Sequence, residues 1–244
     1  MSNPTPSGDE PNDPSLKTAR VERLEQVSPR LLRVQLVGES LTGLTIAPGD
    51  KVKLHIGEGR MRSYTPTRHD ADAGRMHVVV HLHGSGPASA WAGALKEGAR
   101  VGLAGPSKSL DGKAPPSLPW AAFYGDETTL ALAEAILSDL PAATPKFGAI
   151  ETEREDLAAV DSLPIEGVAR TSLHGEALAS HLMQTELPAS PGIVWLSGEA
   201  GSVLVLRTGL LKRGLSRDQL RIKPYWSLKG KAHRKLLERT VFGV

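Results

Sequence analysis

The run MRSYTPTR at residues 61–68 sets two guanidinium groups around a phenol and three hydroxyls. Arg62 can hold a phosphate through two parallel N–H donors. Tyr64, two residues on and so on the same face of a strand, can lay its ring against a flat aromatic ligand. Thr65 adds a hydroxyl or a backbone donor at the ligand's edge. Arg68 closes the run. The same residues also suit an ordinary exposed strand, so this stretch alone decides nothing.

A second run, HGSGPASAWA at 83–92, carries complementary chemistry. Gly84 and Gly86 allow the backbone to approach a ligand closely. Pro87 suits the first turn of a helix. A helix starting near Ala88 would aim free N–H groups at a diphosphate, and Ser85 or Ser89 can donate to the same oxygens. The Lys-Ser/Thr ending of a P-loop is missing, and a tight strand–helix turn that binds nothing is the competing reading.

Three further places matter. GDET at 125–128 puts Gly125, Asp126, Glu127 and Thr128 at a helix start, where acids also serve as plain caps. GEAG at 198–201 puts Gly198, Glu199 and Ala200 at another, where a nucleotide can rest. Tyr225 and Trp226 follow a late strand; they can cover a flat ligand or simply fill the core. His77, His81 and His83 recur at strand spacing, but no carboxylate completes a metal site, so none is expected.

These residues need elements to position them. RLLRVQLVG (30–38), KVKLHIG (51–57) and RMHVVVHLH (75–83) read as strands, and RVGLAGP (100–106) as a short one ending at its Gly-Pro break. DGKAPPSLP (111–119) reads as a linker. Beyond it, short apolar strands alternate with helices. The strands are WAAFYG (120–125), KFGAI (146–150), VARTSL (168–173), GIVWLS (192–197) and RIKPYW (221–226). The helices are expected over 126–140, near 153–160 and 175–185, over 198–214 and over 231–239. That alternation predicts a parallel sheet. The fold class is thus two-domain: an antiparallel β-barrel over 16–115, then an α/β domain over 116–244. Residues 1–15 are polar and proline-rich and predict a disordered tail.

Composition narrows the function. The 244 residues are 40 % hydrophobic with a net charge of only +2, so nothing points to nucleic acid. There is no cysteine, which excludes disulfides, thiolate catalysis and a cysteine-ligated iron–sulfur cluster in this chain. No apolar run approaches the ~18 residues of a membrane span, and no signal peptide is evident. A soluble cytoplasmic protein is the expectation.

A β-barrel followed by an α/β domain is the layout of flavin-linked nicotinamide reductases. The chain resembles the siderophore-interacting protein family, flavin-dependent ferric-siderophore reductases of the ferredoxin–NADP reductase superfamily. The resemblance spans roughly residues 17–230. It rests on RSYTPTR (62–68), HGSGPASAWA (83–92), AGPSKS (104–109), YGDETTLALAEAIL (124–137), WLSGEAG (195–201) and PYWSLKG (224–230), in that order. It implies that Arg62, Ser63, Tyr64, Thr65, His83, Gly84, Gly86, Pro87, Ala88, Ser89, Asp126, Thr128 and Trp226 hold FAD. It implies that Gly125, Glu127, Gly198, Glu199 and Ala200 face NADPH or NADH. Lys108, Lys229, Lys231 and Arg234 are candidates for an anionic ferric siderophore, although a solvated helix face is the favoured reading of the last three. Ser107 and Lys108 stand where the family commonly has Arg-Gly, so Lys108 keeps the charge but loses the planar fork. No side-chain nucleophile or general base is implied, and the protein is expected to act as a monomer. Three alternatives stay open: a flavin reductase with another acceptor, a flavin-free chelate-binding protein, and a ferredoxin as donor.

Overall fold

The computed structural model describes residues 15–84 and 86–239. The expected disordered tail, Ser15 apart, and Ser85 lie outside the described residues. Seven strands build the first half: β1 (Lys17–Ser28), β2 (Leu31–Val37), β3 (Lys51–His55), β4 (Met61–Tyr64), β5 (Pro66–Asp70), β6 (Arg75–His81) and β7 (Arg100–Ser107). They form one antiparallel sheet in the order β4-β3-β7-β1-β2-β6-β5. The two edge strands, β4 and β5, are consecutive in the chain with only Thr65 between them, so the sheet has to curl until its edges approach. Alternate residues line the inside: Val34, Leu36, Val52, Leu54, Val78 and Leu103 are fully buried in one cluster. Burying each side chain of this kind stabilises the fold by about 1.5–3 kcal/mol. Helix α1 (Pro87–Ala94) bridges β6 to β7.

The second half is a parallel sheet of β8 (Ala121–Asp126), β9 (Lys146–Thr152), β10 (Glu166–Ala169), β11 (Ile193–Glu199) and β12 (Leu220–Trp226), in the order β10-β9-β8-β11-β12. Successive residues of its central strands feed opposite layers. Phe123 and Trp195 pack under α2 (Leu130–Asp139), while Tyr124 and Leu196 pack under α3 (Glu176–Gln184) and α4 (Ala200–Lys212). That two-sided burial is why these strands read as continuous apolar runs. Helix α5 (Gly230–Leu237) follows β12. The chain runs outward from β8 to β10 and returns to β11, so the order reverses between β8 and β11, where such sheets open a crevice. Among the described residues, no helix is long and apolar enough to cross a membrane.

Several boundaries differ from the sequence reading. Residues Glu127–Thr129 and Arg154–Ala159 are 3₁₀ turns rather than α-helix. β10 occupies 166–169, so Arg170 and the residues after it lie beyond the strand. β7 continues through Gly105–Pro106 to Ser107, because Gly105 takes a φ of 104° and bends the strand without ending it. The expected linker is packed, not loose. Leu110 is buried, Asp111 O accepts from Trp195 Nε1 at 2.9 Å, and a Cβ on Gly112 would lie 2.5 Å from Pro48 O.

Side chains also tie the halves together. Asp156 accepts from Ser28 Oγ at 2.6 Å, Arg30 N at 3.1 Å and Arg30 Nε at 2.6 Å. Glu134 on α2 pairs with Arg33 at 3.1 Å and Arg68 at 3.3 Å.

Candidate functional site

A cleft of about 810 Å³ runs along the seam between the two halves. The curled sheet contributes Arg62, Ser63 and Tyr64 from β4, Thr65 after it, His81 at the end of β6, and His83 beyond. The α/β half contributes Glu127 and Thr128 after β8, Arg170 after β10, and Lys223 to Trp226 at the end of β12. The volume lies within the ~300–1,000 Å³ typical of small-molecule sites.

The chain has only three tyrosines, and two of them line this cleft. Burial, only partly offset by Arg62, pushes the Tyr64 hydroxyl up to about 12, so it stays a neutral donor. Tyr225 OH meets Thr65 Oγ1 at 3.0 Å across the seam, and burial raises its pKa too. Trp226 is fixed by its indole N–H, which donates to Asp126 Oδ2 at 2.9 Å. The His174 ring stands edge-on to it, at 85° and 5.1 Å between centroids. Three aromatic groups thus face one slot, two of them hydrogen-bonded in place.

Charge is distributed unevenly around the cleft. Lys51 and Arg62 have no acidic partner among the described residues, and Lys223 and Arg234 share the one carboxylate oxygen Glu238 Oε1 at 3.3 and 3.0 Å. These four supply surplus positive charge. The wall on the α/β side is the reverse. There Arg170 contacts Glu127, Glu153 at 3.1 Å and Glu151 at 3.6 Å, so one cation serves three acids.

The expected ligand residues separate into three groups. Arg62, Ser63, Tyr64, Thr65, His83, Ala88, Glu127, Thr128, Trp226 and Arg234 line the cleft together. Gly84, Gly86, Pro87 and Ser89 do not line it, but they build its α1 corner. Gly84 takes a φ of 58°, Gly86 caps the helix, Pro87 is its first residue, and Ser89 Oγ donates to His83 O at 3.2 Å. Among the described residues no side chain caps α1, so its first N–H groups are available to a ligand. The third group, Gly125, Asp126, Gly198, Glu199 and Ala200, sits behind the wall at the strand ends. Asp126 accepts from Thr128 N at 3.0 Å and Glu199 N at 2.8 Å, and Glu199 accepts from Ser202 N at 2.9 Å and Leu228 N at 3.1 Å. The N-terminus of α4 is therefore closed by the chain's own carboxylates. Gly198 is required there: its φ is 109°, and a Cβ would lie 2.6 Å from Asp126 Oδ2.

Lys108, Lys229 and Lys231 are exposed and do not line the cleft. The sequence reading missed Lys51, Arg170 and Lys223. Lys51 opens β3, Arg170 follows β10 and Lys223 lies within β12, and none belongs to a motif read from the sequence. Among the described residues, no group of three or more histidines and acids is placed to hold a metal. His81 and His83 are neighbours, with ring centroids 5.6 Å apart.

Comparison with known proteins agrees with this geometry. Residues 57–110 match the model of the siderophore-interacting FAD-binding domain, and residues 118–229 match that of the siderophore-interacting protein. The ferric vibriobactin reductase ViuB of Vibrio cholerae is 27 % identical over 239 residues, covering 84 % of this chain and 86 % of the relative. The NADPH-dependent ferric-chelate reductase of Escherichia coli is 26 % identical over 248 residues, covering 89 % and 95 %. The crystal structure of a siderophore utilization protein from T. fusca superposes with a TM-score of 0.72 at 26 % identity, covering 89 % of this chain and 95 % of that one.

Proposed function

As the chain belongs to the siderophore-interacting protein family, we propose that it is an FAD-dependent reductase that takes electrons from NADPH or NADH and delivers them to Fe(III) held in an organic chelator. The observation that carries this reading is the seam cleft, where three aromatic groups and two unpaired cations converge from both halves. FAD fits these residues. Its flat ring system suits the slot between Tyr64, Tyr225 and Trp226, and its diphosphate suits Arg62, Lys51 and the uncapped start of α1. Bound there, FAD supplies the exchange between two-electron uptake from a nicotinamide and one-electron delivery to iron.

The chain's own groups bind, orient and exclude water. Thr65 and Tyr225 hold each other across the seam, so the slot keeps its width without a ligand. Asp126 fixes the Trp226 ring, and the neutral Tyr64 hydroxyl donates without adding charge. Ser63, Thr65, His83 and Thr128 offer polar contacts around the slot's edge. Glu127, at the strand-end side of the slot, is the residue that would face a nicotinamide there. Lys223 and Arg234 border the same cleft and give an anionic ferric chelate a positive surface; we leave Lys108, Lys229 and Lys231 outside that set. Fe(II) binds hard oxygen donors more weakly than Fe(III), so reduction loosens the chelate. Residues 16–115 serve as the flavin-holding unit and 116–244 as the nucleotide-facing one. We propose that the chain acts as a monomer. Dependence on a nicotinamide donor favours the cytoplasm.

The test is direct. Purified protein, loaded with FAD, is mixed anaerobically with NADPH or NADH and a ferric chelate in the presence of an Fe(II)-specific dye. Dye formation that needs protein, FAD and nucleotide together is the expected result. A protein that never takes up FAD refutes the proposal.

A further inference from the structure

Four carboxylates, Asp126, Glu127, Glu151 and Glu153, gather where the ends of β8 and β9 meet the cleft wall, and a single guanidinium, Arg170, touches the last three. Such a group holds more negative charge than its cation offsets, and the donors around each acid show where the excess falls. Asp126 accepts from Thr128 N, Thr128 Oγ1, Glu199 N and Trp226 Nε1. Glu151 accepts from Gly175 N at 2.8 Å and lies 3.4 Å from His174 Nδ1. Glu153 is 42 % exposed and keeps its water. Glu127 is 5 % exposed and has Arg170 as its one side-chain hydrogen-bond donor. Hydrogen bonds to the ionised form are what hold a buried carboxylate charged; Glu127 and Glu151 each have few, and of the three buried acids only Glu127 lines the cleft, where an entering ligand removes water.

Across the cleft, Glu127 Oε1 faces His81 Nε2 of β6 at 3.8 Å, with His83 beyond. Burial and His83 push the His81 imidazole down to about 4, so it is neutral near pH 7 and can accept a proton bond. Arg30, which also lines the cleft, is paired across the seam with Asp156 and Glu155.

We propose that Glu127 takes up one proton from solvent when FAD enters the cleft, so that this wall carries one negative charge fewer in the loaded protein. The proposal rests on the reading of the cleft as the FAD site. The proton passes from buffer to a carboxylate oxygen, and no bond to the cofactor forms or breaks. The free protein is already poised for this change: burial and the Asp126 charge raise the Glu127 carboxyl to about 7 against the opposing pull of Arg170. A diphosphate adds negative charge and a ring system removes water, and both act in the same direction. The new carboxyl O–H has His81 Nε2 as its nearest acceptor in the facing half.

The experiment is calorimetric titration of FAD into the cofactor-free protein at pH 7.5, in phosphate and in Tris, whose ionisation enthalpies differ. The buffer dependence of the heat gives the protons exchanged. The wild type should take up about half a proton or more per FAD bound. Glu127→Gln, which keeps the shape of the side chain, should bind FAD with that uptake removed. Absence of uptake in the wild type overturns the proposal whether or not the variant folds. Unchanged uptake in a folded Glu127→Gln variant overturns it too, by assigning the proton elsewhere. A protein that gives no binding heat and takes up no FAD removes the cofactor reading itself, a result distinct from binding without protons.

Discussion

Arg62 makes its one hydrogen bond to the neighbouring Met61 carbonyl, so its charge is free to bind a ligand. Truncation to alanine removes no internal ion pair and should leave the melting temperature nearly unchanged. It should weaken FAD about 10- to 100-fold, the scale of a lost charge-assisted contact of ~1.5–3 kcal/mol. Fluorescence titration with FAD checks this. Asp126→Asn should behave differently. It weakens the anchor of Trp226 and of Glu199 N at once, so both stability and the near-ultraviolet tryptophan signal should change. At this scale the sequence was informative where ligand residues are consecutive, as in Arg62, Ser63, Tyr64 and Thr65. It was silent about Lys51, Arg170 and Lys223, which are isolated in sequence and meet only through the fold. His81 carries a pH signature of its own. Its pKa falls from 6.5 unfolded to about 4 folded, so the folded state binds fewer protons between those values. Stability from this group is fully present above pH 6.5 and is lost as pH falls toward 4. His81→Asn should flatten that part of a stability–pH curve measured by urea unfolding.

Two helix beginnings set the polarity of the site. α1 starts with Gly-Pro and no side-chain cap, while α4 starts with Glu199 bonded to its own Ser202 N–H. The first is open to an anion and the second is closed to one, although both motifs look like Gly-rich phosphate turns in sequence. Spacing reveals the glycines, but not which carboxylate swings back onto the helix. The same limit explains the turns at 127–129 and 154–159. Their sequences satisfy helix preferences, but the first is a single 3₁₀ turn that leads directly into α2, and the second ends as a 3₁₀ segment at Ala159. Gly198 offers the element-scale test. Gly198→Ala forces a Cβ against Asp126 at a left-handed φ, and should cost about 1–3 kcal/mol in unfolding free energy. Thermal and urea melts measure that loss, and little change would mean that Asp126 is free to move.

The alternation of strands and helices made both halves legible from sequence, because each half buries its own apolar pattern. How the halves dock was not legible, since it depends on polar residues distant in the chain. Ser28 and Arg30 converge on Asp156, and Arg33 and Arg68 converge on Glu134. Burial works against ionised Asp156, but the Ser28 hydroxyl and the Arg30 guanidinium and N–H outweigh it and hold the carboxyl below its usual range. Stability from this tie is present above the ordinary aspartate pKa and is lost as pH falls through the depressed folded value. Asp156→Ala should cost about 3 kcal/mol by leaving Arg30 and Ser28 without their buried acceptor. It should also speed FAD release more than it lowers the melting temperature of either half, as followed by stopped-flow fluorescence.

The segment between the halves reads as a linker in sequence, and it is wedged into both. Asp111 is bonded to Trp195 and Gly112 is pressed against Pro48 and Ile136. A connector seated like this acts as a strut, and the two halves cannot work as a jaw. Cargo that is too large cannot be admitted by gaping, so acceptors are sorted by what reaches the rim of a slit of fixed width. The resident dye, for its part, has no opening stroke through which to leave, and its residence time should be set by rupture of the seam as well as by its own contacts.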